Sequence, residues 1–302
     1  MANSKLLRET VVILGAGTQG RRLAYMWSST GKPVHLVDQQ ESQLSQGLDY
    51  VQQLRTSSSA VLTTNWGKIT TSKPSSLKEE LEKAWLAIEC VPENLTLKRS
   101  VISQLDSLAP GQTILASNSS SYVIGEIIEN LSLKNPRRTG HRKLQVSICS
   151  KETCTTLTEP GTDKLAIEIM GHEQTDPSTI DVLVKESEKH GFSPYRVRQP
   201  SVGYIYNRIW AAIKRETLLT LSEGVATPQE IDEIFKDILK TPKGPCELMD
   251  VVGLDVVLDI ERHYAETREN LPTEPQKYLQ DMIDTGHLGV KNSRGFYKYP
   301  RE

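Results

Sequence analysis

Cysteine is scarce and scattered. Cys90, Cys149, Cys154 and Cys246 are the four in 302 residues, and none stands in a C-x-x-C or Cys/His metal spacing. The sequence therefore offers no disulfide framework and no metal site, and reads as a chain of free thiols in a reducing compartment. An excess of either charge is also missing. Lys and Arg number 36 against 38 Asp and Glu, a formal net charge of −2, which excludes an overall basic field for nucleic acid or an anionic membrane. Any phosphate on a ligand has to be held locally. No apolar run approaches the roughly 18 residues of a membrane span. The segment ahead of the first apolar run is too short for a signal peptide, and Tyr299-Pro300-Arg301-Glu302 is not a peroxisomal tripeptide. The expected compartment is the cytoplasm.

The chain exceeds what one hydrophobic core of about 250 to 300 residues supports, so two domains are expected. Thr10 to Leu14 (TVVIL) is β-branched and continuously apolar, the pattern of a parallel strand buried on both faces. Lys32 to Asp38, Ala84 to Cys90 and Gln112 to Ala116 read as later strands, separated by helix-compatible polar stretches. This alternation predicts an α/β fold, a Rossmann-type doubly wound parallel sheet. From about Ser201 the texture becomes helical: Ile205 to Glu223 carries apolar residues at helical spacing, and Thr227-Pro228-Gln229-Glu230 looks like an N-cap, a first-turn proline and a first-turn acid. The expected division is a nucleotide-binding domain over 1–200 and an all-helical domain over 201–302. Arg142 to Lys164, rich in Lys, Thr, Ser and Cys, receives no secondary structure.

Gly15-Ala16-Gly17-Thr18-Gln19-Gly20 matches G-x-G-x-x-G between a strand and a helix expected to start near Thr18, the context in which the motif means dinucleotide binding. Gly15 permits the tight turn, Gly17 lets the backbone approach a pyrophosphate, and Gly20 lets helix pack on strand, with the helix N-terminus facing the anion. Asp38 ends the next strand, where its carboxylate accepts hydrogen bonds from ribose hydroxyls and repels a 2′-phosphate. That favours NAD over NADP, with Arg21 and Arg22 as a counter-signal.

Further landmarks follow in order: Val37-Asp38-Gln39; Glu93-Asn94-Leu95 with Lys98; Ala116-Ser117-Asn118-Ser119-Ser120-Ser121; Tyr204 to Arg208 (YIYNR); Glu223-Gly224; Ile231-Asp232; Gly244 to Asp255 (GPCELMDVVGLD); and Gly295 to Tyr299 (GFYKY). Together they resemble the 3-hydroxyacyl-CoA dehydrogenase family from about Val11 to Tyr299, with a break in the middle. The resemblance implies NAD-linked conversion of a 3-hydroxy group to a 3-keto group, substrate bound in a cleft between the two domains, and a homodimer formed through the helical domain. It also implies roles for particular residues. His141, which follows Gly140 at the family's spacing from the serine-rich loop, is the general base. An imidazole suits that task because its ordinary pKa lies near neutrality. Ser120 and Asn207 position the substrate, Ser120 also facing the cofactor. Glu93 and Lys98 line the nicotinamide end, and Lys291 approaches from the C-terminal domain.

The sequence departs from the family after His141, where Arg142, Lys143 and Leu144 replace its aromatic and Asn-Pro residues. The histidine's partner carboxylate then falls on Glu168 in Leu165 to Met170 (LAIEIM), at a longer spacing than the family's. Three origins stay open: an insertion that reshapes the pocket, a misread exon boundary, or a chemistry lost or changed. Two rival functions stay open with them, a dehydrogenase of a non-CoA hydroxy acid or biosynthetic ketone, and a non-catalytic NAD-binding protein comparable to the lens crystallins that resemble this family.

Overall fold

The structure, a computed structural model, describes residues 9–56, 65–119, 122–134, 145–150, 165–173 and 175–300. The chain divides into two compact units, Met1–Tyr204 and Ile205–Glu302.

The first unit is built on one eight-stranded sheet in the order β3-β2-β1-β4-β5-β6-β7-β8. The strands are β1 (Thr10–Leu14), β2 (Val34–Val37), β3 (Ile69–Ser72), β4 (Ala84–Glu89), β5 (Ile114–Ser117), β6 (Gln145–Ser150), β7 (Leu165–Gly171) and β8 (Phe192–Val197). Strands β1 to β6 run parallel to one another, β7 runs antiparallel to β6, and β8 parallel to β7. The helices are α1 (Thr18–Trp27), α2 (Glu41–Thr56), α3 (Leu77–Glu82), α4 (Leu95–Leu108), α5 (Ile124–Ile128) and α6 (Pro177–Lys189). Successive side chains of β1 serve two different cores, as the two-residue period of a strand requires. Val11 and Ile13 pack with Leu23, Trp27, Leu86 and Ile88, whereas Val12 and Leu14 pack with Leu77, Leu81, Ile102 and Leu105. Helices therefore cover both faces, which explains the unbroken apolar runs of β1 and β4.

The segment left unassigned from sequence contains a strand. Gln145–Ser150 inserts between β5 and β7 and pairs on both sides. The alternation of Val146 and Ile148 with polar residues is a two-residue period, masked in the sequence by the Thr- and Lys-rich stretch that follows it. The reversal at β7 is likewise absent from a purely parallel reading.

Helix α1, which leaves the glycine loop, is tethered at its far end by His190. This buried residue caps α6 through its backbone N–H, leaving the imidazole free to reach α1. Its Nδ1 lies 3.3 Å from Met26 O, its Nε2 3.3 Å from Thr30 Oγ1, and its ring 4.8 Å from that of Trp27. Burial pushes its pKa down to about 4, although the Met26 carbonyl favours the charged form. An unfolded chain takes up this proton near pH 6.5, so stability is complete above that pH and declines as the pH falls from about 6.5 to about 4, by roughly 3 kcal/mol. Urea unfolding of the wild type should show this acid-side loss, and His190→Gln should flatten it. An equal slope in both proteins would assign the loss to other groups.

The second unit is all helical: α7 (Tyr206–Ser222), α8 (Pro228–Leu239), α9 (Pro245–Val252), α10 (Leu254–Thr267) and α11 (Glu274–Asp284). Thr227 caps α8 in a reciprocal box with Glu230, and Leu218, Met249, Leu254, Leu258 and Leu279 form its core. The late sequence landmarks prove to be scaffold. Buried Asp232 accepts the Cys246 and Glu247 N–H groups at the start of α9, both at 2.8 Å, and the Tyr297 hydroxyl at 2.8 Å. Buried Asp250 accepts the Phe296 and Tyr297 N–H groups at 3.0 Å and the Tyr299 hydroxyl at 2.9 Å. Gly295 is obligatory because a Cβ there would fall 1.9 Å from Asp250 Oδ1. Among the described residues, no helix is long and apolar enough to cross a membrane.

Candidate active site

The glycine loop has the geometry its motif predicts. Gly15 has φ +102, and a Cβ there would fall 2.4 Å from Cys90 O. A Cβ at Gly20 would fall 1.8 Å from Gly15 O, so a side chain would part α1 from the turn. Gly17 differs: a Cβ there meets nothing within 4 Å. No packing among the described residues demands that glycine, and it keeps clear the space outside the loop. Gly17 is also the N-cap of α1, with no side-chain cap and no acidic residue in the first turn. The helix end is thus open to an anion.

Asp38 locks the loop and faces the same groove. Its Oδ2 accepts the Ala16 N–H at 2.8 Å and its Oδ1 the Gln40 N–H at 2.9 Å, leaving each oxygen a lone pair for a ribose hydroxyl. The groove, about 630 Å³, is lined by Gly15, Gly17, Thr18, Gln19, Asp38 and Gln43 among others. Arg21 and Arg22 are spent elsewhere. Arg21 donates to Gln43 Oε1 at 3.2 Å and sits 5.5 Å from the centre of the Tyr50 ring, while Arg22 donates to Tyr50 Oη at 3.4 Å. Both stitch α1 to α2. An open helix N-terminus, a cleared glycine and a carboxylate at the ribose position fit NAD.

At the carboxyl ends of β4 and β5 lies a polar network that the sequence only half disclosed. Lys98, on α4, is 1% exposed. Its ammonium donates to Glu89 Oε1 at 2.9 Å and to Val91 O at 3.2 Å, and pairs with Glu93 Oε2 at 3.0 Å. Burial pulls the Lys98 pKa down, but Glu89 and Glu93 outweigh it and hold it above the usual lysine range. All three of its donors are committed, so Lys98 presents none to a ligand and instead fixes the two glutamates. Glu89 also accepts the Ser117 hydroxyl at 2.6 Å and the Val91 N–H at 2.7 Å. Glu93 takes the Ser119 hydroxyl at 2.5 Å through Oε1. Glu89, Ser117 and Ser119 were missed from sequence. The available signal was a glutamate ending the otherwise apolar strand Ala84 to Glu89, since a buried charge requires a partner.

Register places Glu168 at this same edge. Leu14, Glu89, Ser117 and Ser147 stand level across β1, β4, β5 and β6. Met170 pairs with Ser147, and Glu168 pairs with Cys149, two residues further toward the carboxyl ends of the parallel strands. Glu168 is 7% exposed and shares a face of β7 with Met170, which packs against Tyr204, Val197 and Val123. His141 and Ser120 lie outside the described residues. In the helical unit, Asn207 occupies the first turn of α7, and the Lys291 ammonium binds both carboxylate oxygens of Asp255, which lowers the Asp255 pKa.

Comparison with known proteins agrees with this geometry. Residues 10–141 match the family model for the NAD binding domain of 3-hydroxyacyl-CoA dehydrogenase, and residues 203–299 match that for its C-terminal domain. The chain is 30% identical over 299 residues to a probable 3-hydroxybutyryl-CoA dehydrogenase of Bacillus subtilis, covering 96% of each. It is 40% identical over 136 residues to the 3-hydroxyacyl-CoA dehydrogenase-like protein LAM1 of Cochliobolus heterostrophus, a stretch that is 44% of this chain and 28% of that protein. Among solved structures, (S)-3-hydroxybutyryl-CoA dehydrogenase PaaH1 from Ralstonia eutropha superposes with a TM-score of 0.78 at 26% identity, over 97% of this chain and 99% of that one. With its glycine loop, Asp38 and both family domains in place, this chain belongs to the 3-hydroxyacyl-CoA dehydrogenase family.

Proposed function

We propose that this protein interconverts a 3-hydroxyacyl-CoA and the corresponding 3-ketoacyl-CoA with NAD as redox partner. The observation that carries the reading is the placement of Glu168, buried at the carboxyl edge of the sheet beyond the level of Ser117 and on the face that carries Met170. There it can orient and charge-stabilise an imidazole. Gly15, Gly17, Thr18, Gln19, Gly20 and Asp38 would hold the dinucleotide, and Glu93, fixed by Lys98, would border its nicotinamide end. Bound NAD supplies the hydride acceptor. His141 takes the hydroxyl proton of the substrate and returns it in the reverse direction, Ser120 and Asn207 position the substrate oxygen, and Lys291 approaches from the helical unit. Exposed Ile209, Ile234, Ile238 and Leu239 of that unit support a homodimer formed through it. On this reading the chain works in fatty acid metabolism in the cytoplasm.

The test is oxidation of NADH by the purified protein with acetoacetyl-CoA, beside a titration of NADH binding. Turnover on the CoA ester supports the proposal. Tight NADH binding without turnover would overturn it in favour of a different ketone or a non-catalytic role.

A further inference from the structure

Tyr204, the last residue of the sheet unit, takes a conformation that L-residues rarely adopt: its φ is +56, behind Gly203 at φ +77. Such a residue persists where its surroundings over-determine it. Here the Tyr204 N–H donates to Ser201 O at 3.0 Å, and Ser201 Oγ donates back to Tyr204 O at 3.0 Å. The ring is 1% exposed and packs against Met170, Val197 and Val123. Its hydroxyl donates to the main-chain oxygen of Ser119 at 2.8 Å. Packing alone does not require a polar tip in this position; a buried carbonyl does require a donor.

Ser119 is held at every other polar group. Its N–H donates to Ser117 Oγ at 3.2 Å, its hydroxyl donates to Glu93 Oε1 at 2.5 Å, and that hydroxyl accepts the Tyr122 N–H at 3.0 Å. Side chain and N–H are thereby tied to the β4–β5 edge and to the loop. The carbonyl, which begins the peptide leading to Ser120, is tied to Tyr204.

We infer that Tyr204 is a positioning residue: its phenol holds the main-chain oxygen of Ser119 and so fixes the chain where it enters the serine-rich loop after β5. The ring meanwhile braces Met170, two residues from Glu168 on the same face of β7. One side chain thus supports both the serine loop and the strand that bears the partner carboxylate. Tyr204 acts through the backbone and packing rather than by touching substrate. The inference rests on the reading of Ser120 as substrate-positioning serine.

Tyr204→Phe removes the hydroxyl and keeps the ring, whereas Tyr204→Leu removes both. The two variants and the wild type are compared for kcat and KM with acetoacetyl-CoA, for the Kd of NADH, and for amide hydrogen exchange across residues 117–124. The expected result for Tyr204→Phe is a kcat lowered about five- to tenfold, with KM and NADH affinity within about twofold and exchange in that segment faster by about tenfold. A loss seen in Tyr204→Leu, with Tyr204→Phe equal to wild type in kcat and exchange, would reduce Tyr204 to a packing residue and overturn the inference. Should the wild type bind NADH but turn over no acetoacetyl-CoA, the substrate reading fails instead, and the exchange comparison still decides whether the phenol pins the peptide.

Discussion

His141→Ala is expected to lower kcat on acetoacetyl-CoA by about 10²- to 10⁴-fold while leaving NADH affinity near its wild-type value, because a positioned acid–base group contributes on that scale to the chemical step. On the proposed reading the dinucleotide is held by the glycine loop and Asp38, so the substitution should remove chemistry and leave cofactor affinity in place. Glu168→Gln is the companion measurement. On the proposed reading Glu168 stabilises the imidazolium; Gln nearly conserves the shape and removes the charge, so the pKa of the histidine is expected to fall. In the oxidative direction the histidine must be neutral to accept a proton. The acid limb of the kcat profile should therefore move to lower pH in Glu168→Gln, with kcat itself reduced by about 10²-fold. Retained turnover in His141→Ala would demand another base. An unmoved acid limb in Glu168→Gln would separate Glu168 from the histidine.

Lys98→Met should destabilise the protein by about 3–5 kcal/mol. Glu89, 0% exposed, would lose its countercharge and remain buried with the Ser117 hydroxyl and the Val91 N–H, and removing one partner of a buried pair costs on this order. Urea unfolding measures the loss. The double variant Lys98→Met with Glu89→Gln removes the stranded charge as well and should recover at least about half of it. A single variant within about 1 kcal/mol of wild type would mean that Glu89 is neutral or reaches water. Because Lys98 also holds Glu93, and Glu93 holds Ser119, Lys98→Met should in addition raise hydrogen exchange in the loop after β5.

The sequence by itself determined the parts of this protein governed by local rules. G-x-G-x-x-G after a β-branched strand, an acid at the end of the next strand, and alternating strands and helices define the dinucleotide half, because turn sterics, helix-end electrostatics and the two-residue period act between near neighbours. Thr227 with Glu230 announced α8 for the same reason. Tertiary structure decided the rest. Strand β6 forms because β5 and β7 offer it two pairing edges, a cooperative gain weakly visible in its own six residues. The Lys98 ammonium became a buried anchor because Glu89 and Glu93 converge on it from the end of β4 and the loop after it. Tyr204 and Ser119, 85 residues apart, meet through the fold alone. Long-range convergence of charges and hydrogen bonds leaves no periodicity in a sequence, and that is why the glycine groove was legible from the chain while the polar network beside it was not.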